Sequence, residues 1–102
     1  MPGKQQKFKN PDLIELSLML KALAHPSRIA IMHLISNSKN KLTVKCIYNE
    51  LKMSQPVISR HLGILKNCGL LQRSTDDGNT YYAVQTGNKT AKQIVDCFDR
   101  KK

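Results

Sequence analysis

Acidic side chains are scarce in this sequence of 102 residues: seven Asp and Glu stand against 17 Lys and Arg, which gives a formal net charge of +10. A positive excess of this size is typical of proteins whose partner is a polyanion. Long apolar runs are also missing. The most apolar segment, residues 16–24, is interrupted by Ser17 and Lys21, whereas a helix needs about 20 apolar residues to cross a bilayer. We therefore expect no membrane partner.

Cysteine is infrequent, with three in the chain, and the first ten residues contain no apolar segment of the kind found in export signals. This combination predicts reduced thiols in a cytoplasmic protein, without a disulfide framework. The sequence shows no nucleophile–base pair and no phosphate-binding loop, and His25, His33 and His61 do not have metal-ligand spacing. These absences argue against an enzyme, and we expect no cofactor.

The stretch 53–71 carries the clearest pattern in the chain. Ser54 can cap a helix start with its hydroxyl, Pro56 is tolerated in a first turn, and Gly69 can end a helix in a left-handed conformation. Apolar positions recur between them at helical spacing. The expected inward stripe consists of Val57, His61 and either Ile64 or Leu65.

The other face of this predicted helix is polar. Gln55, Ser59 and Arg60 are hydrogen-bonding side chains near its N-terminus, where a recognition helix offers side chains to the base edges of DNA. An ordinary amphipathic surface helix would show the same pattern, so the flanking sequence has to decide. A short predicted helix over 45–51 precedes it, and the two together predict a helix-turn-helix.

The flanking segments complete a mainly α fold with a small β-hairpin, in the arrangement of a winged helix-turn-helix. The hairpin is predicted because Asp77-Gly78 separates two β-prone segments, and Asp-Gly is a strong turn signal. The predicted elements are helices over 11–24, 28–35, 45–51 and 55–67, a β-prone piece at 42–44, strands over 70–75 and 80–85, and a last helix over 89–100.

Two of these helices carry further expectations. Pro26 or Ser27 can open the second helix, in which we expect Ile29, Met32 and either Leu34 or Ile35 to point inward. The first helix is more apolar around its circumference than one small domain can cover, which predicts a subunit interface. The predicted apolar stripe consists of Leu13, Leu16, Leu20, Leu23 and Ala24, and Ile14 and Met19 lie off it and widen the apolar surface.

Three motifs in order resemble the ArsR/SmtB family: Leu20-Lys-Ala-Leu-Ala-His-Pro-Ser-Arg28-Ile-Ala-Ile31, the stretch from Met53 to Leu70, and a wing that ends in Tyr81-Tyr82. The resemblance covers residues 12–100. It implies a homodimer that binds double-stranded DNA at inverted-repeat operators and represses transcription, with 11–100 as the DNA-binding and dimerisation domain. The polar, lysine-bearing residues 1–10 are predicted from their composition to be a flexible basic arm. The implied dimer contacts are Leu13, Leu16, Leu20, Ile94, Val95 and Phe98.

The resemblance also implies DNA-contacting positions. Glutamine can pair with an adenine edge and arginine with a guanine edge, whereas lysines such as Lys41 and Lys52 meet phosphates. One departure from the family concerns the wing tip, which is commonly basic in relatives but carries Asp76 and Asp77 here. The full set of predicted DNA contacts, in which the lysines come from the charge pattern and not from the resemblance, is Val44, Lys45, Ser54, Gln55, Pro56, Ser59, Arg60, Lys66, Arg73, Asn79 and Thr80.

Neither of the family's usual metal sites has its ligands in this chain. The thiolate site begins with a Cys-Val-Cys pattern, which Thr43-Val44-Lys45 replaces here, and a lysine ammonium opposes a bound cation. The positions of the second site correspond to Thr86, Asn88, Asp99 and Lys102. We therefore expect no metal.

Some relatives sense sulfide or oxidants by joining a cysteine near the second or third helix to one in the last helix. The corresponding pair here is Cys46 with Cys97, and Cys68 is an alternative partner. The competing interpretation is that these are structural thiols. For the whole chain, the leading hypothesis is a dimeric DNA-binding repressor, and the alternative is a winged-helix module that binds protein or RNA.

Overall fold

The computed structural model of the protein describes residues 11–38 and 41–98. The predicted arm at 1–10 and the predicted helix end at 99–100 lie outside these residues. The mainly helical fold with a small β-sheet, and the predicted order of its elements, are confirmed. The elements are α1 (Pro11–Leu23), α2 (Pro26–Ser36), β1 (Leu42–Thr43), α3 (Val44–Leu51), α4 (Gln55–Asn67), β2 (Leu71–Asp76), β3 (Asn79–Val84) and α5 (Lys89–Phe98).

The connection between α1 and α2 is capped by a histidine. His25 has an extended backbone, and its Nδ1 accepts a hydrogen bond from the backbone N–H of Ser27 at 3.3 Å. Of the two residues that the sequence allowed at the start of α2, the structure selects Pro26. Its missing N–H is not needed at the first helical position.

The helix-turn-helix consists of α3, a short turn and α4. Thr43 caps α3, because its Oγ1 accepts a hydrogen bond from the N–H of Cys46 at 3.1 Å. Lys52 ends α3 in the left-handed conformation, with a φ of 55°. The prediction that the Ser54 hydroxyl caps α4 is wrong: Ser54 occupies the cap position with an extended backbone, but its side chain makes no capping hydrogen bond.

α4 ends where the sequence predicted, at a left-handed glycine. Gly69 has a φ of 94°, its N–H donates to Lys66 O at 3.1 Å, and the N–H of Leu70 donates to Leu65 O at 3.0 Å. This pair of bonds satisfies carbonyl groups that the helix leaves open. A Cβ at Gly69 would lie 3.2 Å from Cε of Met19 in α1, so glycine also allows close packing here.

The wing is a hairpin of β2 and β3, and β1 extends it to a three-stranded antiparallel sheet with the order β1-β3-β2. Both turn residues have positive φ, 53° at Asp77 and 83° at Gly78. This is the mirror-image turn that suits the twist of paired strands. Val44, predicted as β-prone, is instead the first residue of α3.

One hydrophobic core joins all five helices and the sheet. The prediction that Ile29 and Val57 belong to it is wrong. Ile29 is 42 % exposed and Val57 is 37 % exposed. In α2 the core stripe includes Ile31, which lies about 200° around the helix from Ile29. In α4 the fully buried alternative at the end of the stripe is Leu65. The core consists of Met19, Ala22, Leu23, Ile31, Met32, Ile35, Ile47, Ile58, Leu62, Leu65, Leu70, Leu71, Tyr82, Ala91 and Val95.

Candidate nucleic-acid interface

α4 has one face in the core and one face in solvent. Ile58 and Leu62 are fully buried, and at 100° per residue Pro56, Arg60 and Gly63 lie on the opposite side. Pro56 and Arg60 are exposed. A Cβ at Gly63 would meet no atom within 4 Å beyond its own stretch of helix. The outward face is therefore open along the middle of the helix.

Two of the predicted DNA-reading side chains are bonded to each other on one flank of this face. The Nε2 of Gln55 donates to the Oγ of Ser59 at 2.9 Å, one helical turn away. Gln55 is exposed and Ser59 is half-buried. The bond therefore holds an exposed side chain against a partner that is fixed close to the helix backbone.

Three cations among the predicted DNA contacts have no acidic partners among the described residues. Arg60, Lys45 near the start of α3 and Lys66 in the last turn of α4 are all exposed. No carboxylate within the two described ranges lies within 4.0 Å of their charged atoms. Of the other predicted contacts, Ser54 is exposed, whereas Val44 is half-buried and packs against the core.

His61 holds α4 to the rest of the domain from the buried side. It is 7 % exposed, and its Nδ1 accepts a hydrogen bond from Nε of Arg28 at 3.1 Å. Nη1 of Arg28 donates to the carbonyl oxygen of Ala22 at 3.1 Å. One guanidinium thus ties α4 to the C-terminal end of α1. Sequence reasoning missed Arg28, because no local signal connects residues 33 positions apart.

The environment of His61 favours the neutral imidazole. Burial, followed by the positive charges of Arg28, His25 and Arg60, lowers the pKa of His61 below its ordinary value. The His25 ring packs edge-on against it, with a centroid separation of 4.9 Å. Only a neutral imidazole can accept at Nδ1, so the Arg28 bond and the lowered pKa are consistent with each other.

The predicted wing contacts do not share one face of the hairpin. Register pairs Arg73 with Tyr82, Thr75 with Thr80, and Asp76 with Asn79. Because side chains alternate along a strand, Arg73 and Thr80 lie on one face and Asn79 lies on the other. This division depends on the exact register of the hairpin, which sequence reasoning had not assigned.

A lysine partly offsets the acidic wing tip. Nζ of Lys41 lies 3.9 Å from Oδ2 of Asp76 and 4.5 Å from the centre of the Tyr81 ring. Both charged side chains are largely exposed, so the pair contributes little to stability. Its consequence is electrostatic: one of the two tip carboxylates has a cation beside it, and Lys41 is less available to phosphate.

The predicted dimer contacts differ in how much surface they leave exposed. Leu13 is 51 % exposed and Leu20 is 53 % exposed, whereas Val95 is 7 % exposed and belongs to the core. Leu16 and Ile94 are half-buried, and the side chain of Phe98 lies outside the described part of the chain. Two further residues of α1, Ile14 and Leu18, were not in the predicted contact set but are 45 % and 53 % exposed. No helix within residues 11–38 and 41–98 is long and apolar enough to cross a membrane.

Comparison with known proteins identifies the family. A family model described as bacterial regulatory protein, arsR family, matches residues 25–73, from the α2 cap into the wing. An uncharacterized HTH-type transcriptional regulator of Methanocaldococcus jannaschii, MJ1325, is 37% identical over 79 residues, which are 76% of this chain and 88% of the relative. The chain belongs to the ArsR family. It is a transcriptional regulator with a DNA-binding winged helix-turn-helix, and its homologues belong to a non-enzymatic class.

Solved structures of transcriptional regulators have the same fold. The transcriptional repressor PagR of Bacillus anthracis is 27% identical, with a TM-score of 0.77 over 87% of this chain and 98% of PagR. The homodimeric winged helix-turn-helix DNA-binding domain of Mb0332 from Mycobacterium bovis is 24% identical, with a TM-score of 0.76 over 95% of this chain and 85% of that domain. The second likeness supports the fold alone.

The ArsR metal positions form no cluster in the described part of the chain. Within residues 11–38 and 41–98, no three His, Cys, Asp or Glu side chains are grouped to hold a metal ion. Asn88 instead caps α5, because its Oδ1 accepts from the N–H of Ala91 at 3.0 Å, and its Nδ2 donates to Oε2 of Glu15 in α1 at 2.9 Å. Asp99 and Lys102 lie outside the described residues, so the absence of a metal site stays a prediction.

The two cysteines of the candidate redox pair lie in different surroundings. Cys97 is exposed and lines a groove of about 640 Å³ between α1 and α5, together with Leu13 and Asn88. Cys46 is half-buried in the first turn of α3 and is not among the residues that line this groove. Burial raises the pKa of the Cys68 thiol, which donates to Leu65 O at 3.4 Å, so Cys68 has the character of a structural thiol.

Proposed function

We propose that this ArsR-family protein is a repressor that binds an inverted-repeat operator as a homodimer. The observation that carries the proposal is the outward face of α4, on which polar side chains and cations are exposed. The opposite face of the helix is buried and is hydrogen-bonded to Arg28 through His61. This arrangement suits a helix in the major groove. The likeness to PagR, a transcriptional repressor of Bacillus anthracis, supports repression over activation.

The DNA contacts divide by chemistry. The group of Gln55, Ser59 and Arg60 forms the base-reading surface, whereas exposed Lys45 and Lys66 meet phosphates, which carry no sequence information. Arg73 and Thr80 share one hairpin face and reach the minor groove together. The remaining proposed contacts, which position the helix and the wing, are Val44, Ser54, Pro56 and Asn79.

A second copy of the chain covers the apolar surface of α1. Leu13 and Leu20, each about half exposed, provide this surface together with Leu16 and Ile94. Phe98, which is also in the predicted set, is the last residue of α5. Val95 of the predicted set is 7 % exposed and packs in the core, so it offers little area to a partner. A two-fold dimer presents two α4 helices in opposite orientation, which requires an inverted repeat.

Binding of the protein to its own promoter region tests the proposal. Fluorescence anisotropy at moderate salt, against a scrambled duplex, should show at least about a thousandfold preference for one promoter site. Sedimentation equilibrium at micromolar concentration should show a dimer. Equal affinity for both duplexes would contradict operator recognition and favour the alternative, an interaction module for protein or RNA. A monomer would contradict the inverted repeat.

A metal is not the proposed inducer. Thr43, Lys45 and Asn88 stand where the family's usual sites place donors. Calorimetric titration of the reduced protein with zinc, cadmium and arsenite should therefore show no sub-micromolar site that releases DNA. A site of that strength would contradict this part of the proposal, and peptide mapping would then test whether it uses Cys46.

If the protein has a built-in switch, we propose that it is thiol-based and joins Cys46 with Cys97. Their conversion to a disulfide removes two protons and two electrons, which a peroxide oxidant accepts. Mild oxidation followed by intact mass and peptide mapping should show this pair, and a Cys68→Ser variant should respond like the parent protein. If oxidant changes operator affinity equally in the parent and in the Cys46→Ser, Cys97→Ser variant, both thiols are structural.

A further inference from the structure

The bond between Gln55 and Ser59 limits what the glutamine can offer to DNA. A glutamine amide has two N–H donors and one carbonyl acceptor. In the folded protein one N–H is already engaged, because Nε2 donates to Oγ of Ser59 at 2.9 Å. One N–H and the carbonyl oxygen of the Gln55 amide remain, and they lie side by side when Ser59 accepts the N–H that points away from the carbonyl.

This remaining pair matches one base. Adenine presents an acceptor, N7, beside a donor, the N6 amino group, whereas guanine presents two acceptors, N7 and O6. An amide that offers one donor and one acceptor satisfies both adenine groups. Against guanine its carbonyl oxygen would face O6, acceptor against acceptor, and both would be desolvated without a partner.

Ser59 is well placed to hold the amide in this orientation. Its side chain is short, it is half-buried, and it lies on the turn of α4 that Ile58 and Leu62 anchor in the core. A free glutamine side chain loses rotamer freedom when it meets a base. Where Ser59 already fixes Gln55, part of that loss has occurred before DNA arrives. Exclusion of water at the DNA interface strengthens the bond.

We propose that Ser59 is a positioning residue that orients Gln55 to read an adenine in each half of the operator. This inference rests on the proposed DNA-binding function and adds the base read and the division of roles within the pair. Gln55 touches the base, and Ser59 acts through Gln55. The competing arrangement, in which the two side chains read different bases independently, predicts a different outcome for the same variants.

Selection from a random duplex pool, followed by sequencing, tests the inference whatever the operator sequence is. The parent protein should enrich adenine at one position of each half-site, and Gln55→Ala should lose that preference. Ser59→Ala should reduce it at the same position by at least about fivefold and leave the other positions unchanged. Ser59→Thr, which keeps the hydroxyl, should retain most of it.

A modified base provides the second measurement. With 7-deazaadenine at the selected position, N7 is replaced by C–H, so the parent protein should lose affinity and Ser59→Ala should lose much less. The inference is overturned if Ser59→Ala keeps the full adenine preference, or loses preference at a different position from Gln55→Ala. If the parent protein enriches no sequence, the proposed function itself fails, which is a distinguishable result.

Discussion

The two faces of α4 differ in burial and in the partners of their polar side chains. Inside, Ile58 and Leu62 are fully buried, and the one buried polar side chain of the helix, His61, is hydrogen-bonded to Arg28. Outside, Arg60 is exposed with no acidic partner in the described part of the chain, and Gly63 leaves open space. Changes on the inward face should therefore act on stability, whereas changes on the outward face should act on DNA binding.

The largest effect is expected from an inward apolar residue. Leu62→Ala removes a fully buried side chain and should lower the free energy of unfolding by about 2–5 kcal/mol. A control at an exposed position of the same helix, Asn67→Ala, should change it by less than about 0.5 kcal/mol. Denaturant unfolding at one fixed protein concentration measures both. Similar losses in the two variants would abolish the distinction between the faces.

The second largest effect is expected from loss of the two part-buried hydrogen bonds of Arg28. Arg28→Met leaves Nδ1 of His61 and the Ala22 carbonyl without their donor, so we expect a loss of about 1–3 kcal/mol of unfolding free energy. Arg60→Met exchanges the same side chains on the exposed face and should leave stability within about 0.5 kcal/mol of the parent protein. An equally stable Arg28→Met protein would show that Arg28 does not secure α4.

Acid should lower the free energy of unfolding through His61, on the buried face of α4. The pKa of His61 is lowered in the folded state by burial, Arg28, His25 and Arg60. Below an ordinary histidine pKa of about 6.5, the unfolded chain takes up a proton that folded His61 resists. Stability is therefore present above that pH and falls as the pH is lowered, by at most about 1.4 kcal/mol per pH unit for this group.

The variant His61→Gln isolates this contribution. Its amide oxygen can still accept from Arg28, but the side chain does not titrate, and His25 and His33 remain in both proteins. Unfolding titrations from neutral to mildly acidic pH should show a shallower loss for the variant. The same slope in both proteins would mean that His61 does not control the acid response.

The smallest effects should have opposite signs at two glycines. Gly69 has a φ of 94°, and an added Cβ would lie 3.2 Å from Met19 Cε, so Gly69→Ala should destabilise the protein by about 1 kcal/mol. Gly63 lies in the helix with open space around it, so Gly63→Ala should stabilise it by about 0.5–1 kcal/mol. Thermal unfolding checks both, and shifts of the same sign would contradict the open outward face.

The elements that the sequence predicted well have local causes. Pro56, Gly69 and the Asp77-Gly78 turn each fix the backbone through the residues next to them, so the end of α4 and the hairpin could be placed. The sequence did not fix which side of each helix faces the core. Ile29 and Val57 were predicted to point inward, because the apolar pattern alone does not show where the buried face of a helix ends. In the structure, packing against the other elements sets the buried face of each helix, and Ile29 and Val57 lie outside it.

The features that the sequence could not reveal are contacts between distant residues. Arg28 and His61 meet only because α2 packs beside α4, and the bond between Glu15 and Asn88 joins α1 to α5 across most of the chain. The capping role of His25 was missed because histidine is not among the usual capping residues. Ser54 is the reverse case, a usual capping residue whose side chain makes no capping bond.

Titrations over a salt series, on the selected operator and on a scrambled duplex, test most directly whether the outward face of α4 reads sequence. Arg60→Ala should cost about 1–3 kcal/mol on the operator, with a much smaller loss on the scrambled duplex. Lys66→Ala should weaken both duplexes alike and lower the salt slope by about one. Equal weakening of both duplexes by Arg60→Ala would contradict the placement of this helix as the reader of DNA sequence.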